Sequence, residues 1–86
     1  MEINKLILAV KEKLEKNISI EEIIVEDKTF LHKNHSSHQK EKYHLKLQIK
    51  SKELKKCNKI VATKKIYKIL DIELKNYIHS IQILII

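Results

Sequence analysis

Residues Tyr43 to Lys50 read YHLKLQIK. Tyr43, Leu45, Leu47 and Ile49 alternate with His44, Lys46, Gln48 and Lys50 along the whole stretch. A period of two puts the apolar set on one face of a β-strand and the polar set on the other. In a helix the same apolar residues would scatter around the axis and leave no face to bury. The stretch therefore commits the chain to a sheet with one buried face, and helices are the means of covering it.

On the N-terminal side lies HKNHSSHQKEKYH, His32 to His44, a polar segment holding four of the five histidines. Before it, Ser19 to Glu26 ends in Ile23-Ile24-Val25, short and β-branched, which predicts a strand. The histidine segment thus connects two strands, a usual place for binding chemistry, and it is long for a hairpin. Ile3, Leu6, Ile7, Val10 and Leu14 recur at helical spacing and predict a first helix over about Glu2 to Lys16, stopped at Asn17.

On the C-terminal side, Ser51 to Lys59 is polar and basic and reads as a turn or a single helical turn. Ile66, Ile69, Leu70 and Leu74 restore the helical period from about Ile60 to Leu74, ended by Asn76. Ile78 to Ile86 is almost continuously apolar, the pattern of a strand covered on both faces or central in its sheet. The order α-β-β-α-β predicts one α+β domain over residues 1–86, a three-stranded sheet with helices on one face.

Composition narrows the function classes. The 86 residues carry a net charge of +7, all of the basic residues are lysine, and isoleucine and asparagine are abundant. That mixture looks like AT-rich coding, which raises charge without a partner selecting for it. Arginine, the residue suited to bidentate phosphate and guanine recognition, is missing. The chain has no glycine, which excludes a P-loop, a dinucleotide fingerprint and a GXXG nucleic-acid clamp. With no proline either, Asn17, Asn34, Asn58 and Asn76 are expected to make the breaks, in left-handed conformations or as caps. The single Cys57 suits a reducing compartment. No apolar run approaches the length of a membrane helix, and the N-terminus lacks signal-peptide features. Together these predict a cytoplasmic protein. No nucleophile–base pair or paired carboxylates suggest catalysis, so no enzyme is expected.

Lys52, Lys55, Lys56, Lys59, Lys64, Lys65 and Lys68, with Tyr67 among them, form a basic strip from the turn into the second long helix. Such a strip suits phosphate contacts to nucleic acid, or a partner surface. His32, His35 and His38 are spaced to hold an adventitious zinc or nickel ion, although no metal-site motif frames them. His44 and His79 each begin a strand and read as structural, His44 with a further option as a donor supporting a ligand.

Several of these stretches together resemble the BolA-like family. VEDKTFLHKNH, Val25 to His35, is similar to its VxDxSxxHxGH pattern. His44-Leu45-Lys46 is similar to HFK, and Ile78-His79-Ser80-Ile81 to VHAL. Ser51 to Tyr67 aligns without a gap to the segment running into the family's main helix. The resemblance implies a class II KH-like αββαβ fold, which often carries a short extra helix before the main one. It also implies an adaptor that binds a monothiol glutaredoxin and shares a [2Fe–2S] cluster and glutathione with it, in cluster trafficking or iron-linked regulation. On this resemblance His32, with His35 beside it, stands at the loop ligand position. Thr63, in Ala62-Thr63-Lys64, stands where the family has a histidine ligand just before its main helix, so a bridged cluster is expected to be held less well unless Cys57 substitutes. The alternatives are a DNA-binding regulator on the same fold, with weak and nonspecific DNA contacts, and a protein-binding member that has lost cluster ligation. The isolated chain is expected to be a monomer without cofactor.

Overall fold

The computed structural model describes residues 1–29 and 42–86. Its elements in chain order are α1 (Ile3–Asn17), β1 (Glu22–Asp27), β2 (Tyr43–Lys50), α2 (Lys52–Lys55), α3 (Lys59–Ile69), α4 (Asp71–Asn76) and β3 (Ile78–Ile85). The strand order is β1-β2-β3, with β1 antiparallel and β3 parallel to β2. This is the expected α+β, KH-like arrangement. The register lines up Ile23, Ile49 and Ile85, and likewise Val25, Leu47 and Ile83, across one face of the sheet.

That face carries the core. Leu45, Leu47 and Ile49 of β2 are buried against Leu6, Val10 and Leu14 of α1 and Ala62, Ile66 and Leu70 of α3 and its end. The opposite face, with Ile24, Gln48 and Leu84 in one row, has no helix over it among the described residues. Ile24 and Leu84 are both exposed there.

The breaks are built by caps. Glu2 accepts the N–H groups of Asn4 and Lys5 at the start of α1. The Asn17 side chain donates to the Lys13 carbonyl at 2.7 Å and closes its last turn. Asn58 accepts the Val61 N–H at 2.9 Å and starts α3. No described residue has a positive φ, so none of the described asparagines takes the left-handed role; Asn34 lies outside the described residues. Side-chain capping satisfies the orphan backbone groups without that conformation.

Three expectations need correction. β3 is an edge strand, because β1 takes the other side of β2 and the sheet order is β1-β2-β3, and its apolar run splits between the core face and an exposed face. The second long helix starts at Lys59 and is broken at Leu70, whose ψ of 20° redirects the chain into α4. That break carries no proline or glycine; Leu70 is completely buried, and the turn after it brings Glu73 to Lys13 of α1 at 2.9 Å. Finally, Ala62-Thr63-Lys64 lies inside α3, as the helix read from about Ile60 required, and not just before it as the alignment to the family implied.

Candidate functional site

Two places on the fold bear chemistry, one at each end of β3. The first is at the start of the strand. The carboxylate of Asp27 accepts the backbone N–H and the hydroxyl of Thr29, and the Thr29 hydroxyl oxygen accepts the His44 N–H at 3.1 Å. The Lys28 N–H donates to the His44 carbonyl at 2.7 Å. These bonds tie the end of β1 to the start of β2, so the chain leaves for and returns from residues 30–41 at one fixed point. Parallel pairing with a register shift then brings the start of β3 alongside. His44 Nδ1 lies 2.6 Å from the Ser80 hydroxyl. The His44 and His79 rings meet edge to face, with centroids 4.8 Å apart.

The outcome is a pair of imidazoles from strands distant in sequence, beside the flanks of the histidine-rich segment. Neutral imidazole binds iron, zinc and copper. The Ser80 contact engages Nδ1 of His44 and orients its ring, the kind of support a ligating histidine ordinarily has. His79 is exposed on the edge strand. His32, His35 and His38 lie outside the described residues. Among the described residues no group of three or more metal-ligating side chains gathers.

The second place is a groove of about 260 Å³ between the α2–α3 turn and the far end of β3. Thr63 and Cys57 line it together, with Leu54, Lys55, Lys59 and Ile83 to Ile85. The Cys57 thiol donates to the Glu53 carbonyl at 3.8 Å. The structure thus brings Cys57 and Thr63 together, as their nearness in sequence allowed, but at the opposite end of β3 from His44 and His79. In the paired register His44 stands opposite Ser80 and Ile49 opposite Ile85, a separation of five residues, or about 17 Å along a strand.

The basic strip spans α2 and α3. Lys52, Lys55, Lys56, Lys59, Lys64 and Lys68 are exposed. Lys65 differs: its ammonium binds Glu53 at 3.0 Å, and that hydrogen bond holds its pKa above the usual lysine range. The Glu53 carboxyl is held below the usual range, first by the Ser19 N–H it accepts and then by Lys65. Tyr67 is exposed, and Ile60 and Val61 stand exposed on the same helix, so the strip is mixed basic and apolar. Periodicity did not reveal this apolar share, because it assigns such residues to the core.

Among the described residues no helix is long and apolar enough to cross a membrane. A family model described as BolA-like protein matches residues 14–86. The BolA domain of SufE1 from Arabidopsis thaliana is similar in structure, with a TM-score of 0.77 and 30% identity, over 92% of this chain and 87% of that one. BolA1 from the same plant gives 0.76 at 24% identity, over 92% and 87% of the two chains. The solution structure of BolA1 from Mus musculus gives 0.74 at 18%, over 92% and 62%. At those two identities the likeness is one of fold. No curated protein matches in sequence.

Proposed function

The chain belongs to the BolA-like family, and from that premise we propose that it is an adaptor for a monothiol glutaredoxin, with a [2Fe–2S] cluster as shared cargo. The observation that carries this reading is the His44–His79 pair, 4.8 Å between ring centroids, where residues 30–41 leave and rejoin the sheet. Imidazole replaces thiolate on one iron of some [2Fe–2S] centres, so the donor set suits such cargo. The glutaredoxin cysteine and glutathione supply the thiolates. This chain supplies one or two imidazoles: His79, which reads as structural in the sequence, with His32 from the loop position of the family resemblance, and His44 orienting the site through its ring contact. The lysines of α2 and α3, with exposed Ile60, Val61 and Tyr67, form a second surface for protein contact.

Thr63 need not be a lost ligand in this scheme. It stands by the Ile83–Ile85 end of β3, in the groove with Cys57, so ligation at the histidine end does not depend on it.

The test is anaerobic reconstitution of the full chain with a monothiol glutaredoxin and glutathione, followed by visible absorption and circular dichroism. His79→Ala and His32→Ala are expected to bleach or shift the heterodimer spectrum, while Thr63→His and Cys57→Ser leave it unchanged. If both histidine variants keep the native spectrum, this chain gives no ligand, and a purely protein-binding role replaces cluster handling. Enhancement by Thr63→His would return the ligand site to α3.

A further inference from the structure

β1 and β3 are both edges of the sheet, but they are guarded differently. β1 carries Glu22, Glu26 and Asp27. From Ile78 to Ile86 there is no Asp, Glu, Lys, Arg or Pro. Natural edge strands ordinarily carry charge, proline or a covering element, since a bare edge pairs with any extended chain. Among the described residues nothing pairs with the outer side of β3.

The direction of its free groups follows from the ladder. Alternate residues of a strand turn both backbone groups to the same neighbour. The Ile86 N–H donates to the Ile49 carbonyl of β2 at 2.9 Å. By alternation, Ile81, Ile83 and Ile85 turn their N–H and C=O groups outward. Beside this stretch lies the groove of about 260 Å³, with Leu54, Ile83, Leu84 and Ile85 in its apolar wall and Lys55 and Lys59 also lining it.

We propose that the outer edge of β3, from Ser80 to Ile85, takes up an extended acidic peptide as an added strand. Its backbone pairs with Ile81, Ile83 and Ile85, and every second side chain turns to the groove, where apolar ones meet the wall of Leu54, Ile83 and Ile85 and carboxylates meet Lys55 and Lys59. Strand addition draws affinity from main-chain bonds and specificity from the pockets beside them. Charge selects this occupant over a second copy. Two chains of net charge +7 joined edge to edge repel each other, whereas an acidic segment is attracted. This surface is independent of the histidine end and of any cluster.

The test uses the full chain and a labelled octapeptide whose four odd-numbered positions, all on one face, read glutamate, valine, valine, glutamate, with threonine at the even ones. Three comparison ligands are the analogue with lysine for glutamate, the same acidic peptide N-methylated on the amides of one edge, and that peptide N-methylated on the other edge. Fluorescence anisotropy should show the acidic peptide binding about tenfold more tightly than the lysine analogue and than one of the two N-methylated forms. Amide exchange at Ile81, Ile83 and Ile85 should slow with the peptide bound. The exposed double substitution Lys55→Glu with Lys59→Glu should reverse the charge preference, with circular dichroism confirming an unchanged fold. Absence of binding, or equal binding by all N-methylated forms, overturns the proposal. So does a peptide-free dimer in sedimentation that protects the same three amides, which would give the edge to a second copy.

Discussion

Glu53 joins three parts of the chain with one carboxylate. It accepts the Ser19 N–H at 3.0 Å and the Lys65 ammonium at 3.0 Å, and so ties the α1–β1 connection to α2 and α3. Both contacts favour the charged carboxylate, which is why its pKa is lowered. The stability linked to it is fully present above the unfolded carboxyl range and is lost as pH falls through the lower folded value. Lys65 is linked in the opposite sense: its share is present below the unfolded lysine range and fades only as pH rises through its raised folded value. Between the two ranges the pair is intact. We therefore expect Glu53→Gln to melt at a lower temperature than the native chain at neutral pH, with the gap closing as pH falls below the carboxyl range. Melting curves across that range decide it, and a gap that stays constant in acid would show that the charge on Glu53 is irrelevant. The site is exposed, so solvent screening keeps the effect small.

At the scale of elements, α2 is only one turn long and owes its existence to its cap. Ser51 is buried; its hydroxyl accepts the Leu54 N–H at 3.2 Å and donates to the Ser19 carbonyl at 2.6 Å. Ser51→Ala removes the cap and strands a carbonyl beside it, which costs about 1–2 kcal/mol. Urea unfolding should show this as a lower midpoint at unchanged slope, with faster amide exchange at Leu54 and Lys55. A change of only a few tenths of a kcal/mol would mean that Leu54 alone holds the turn. The polar, basic composition of Ser51 to Lys59 announced this turn in the sequence, but not the cap that holds it. The strict alternation of Tyr43 to Lys50 likewise specified β2, because period alone fixes which face is buried. Pairing order is another matter. The unbroken apolarity of Ile78 to Ile86 reads as a central strand, yet Leu84 is 44% exposed on an edge. Local pattern reports how apolar a strand is, not which neighbours it has. The bend at Leu70 was hidden for a similar reason, since Ile66, Ile69, Leu70 and Leu74 keep helical spacing straight through it.

For the whole molecule, the candidate site was not legible as geometry. In the sequence His44 and His79 read as structural strand starts, and their meeting depends on a parallel pairing between strands separated by three helical elements. Linear alignment placed Thr63 in a ligand set, and only the fold separates it from the histidine end. Charge is written directly in the residues, and the fold then distributes it. Of the strip's seven lysines, Lys65 is engaged by Glu53, while Lys52, Lys55, Lys56, Lys59, Lys64 and Lys68 point a net positive field from α2 and α3. These lysines meet phosphates as point charges and carry no hydrogen-bond code for bases. Binding to duplex DNA should therefore be weak and nearly indifferent to sequence. If about four phosphates are neutralised at once, log K against log salt should fall with a slope of about −3.6. Titrations of two unrelated duplexes at several salt concentrations measure both properties. Lys64→Ala and Lys68→Ala should each flatten the slope by about one, the share of a single phosphate, and equally for both duplexes. A large affinity gap between the duplexes at physiological salt would mean that side chains other than these lysines read base edges, and the DNA-binding regulator would then displace the adaptor as the better account of this surface.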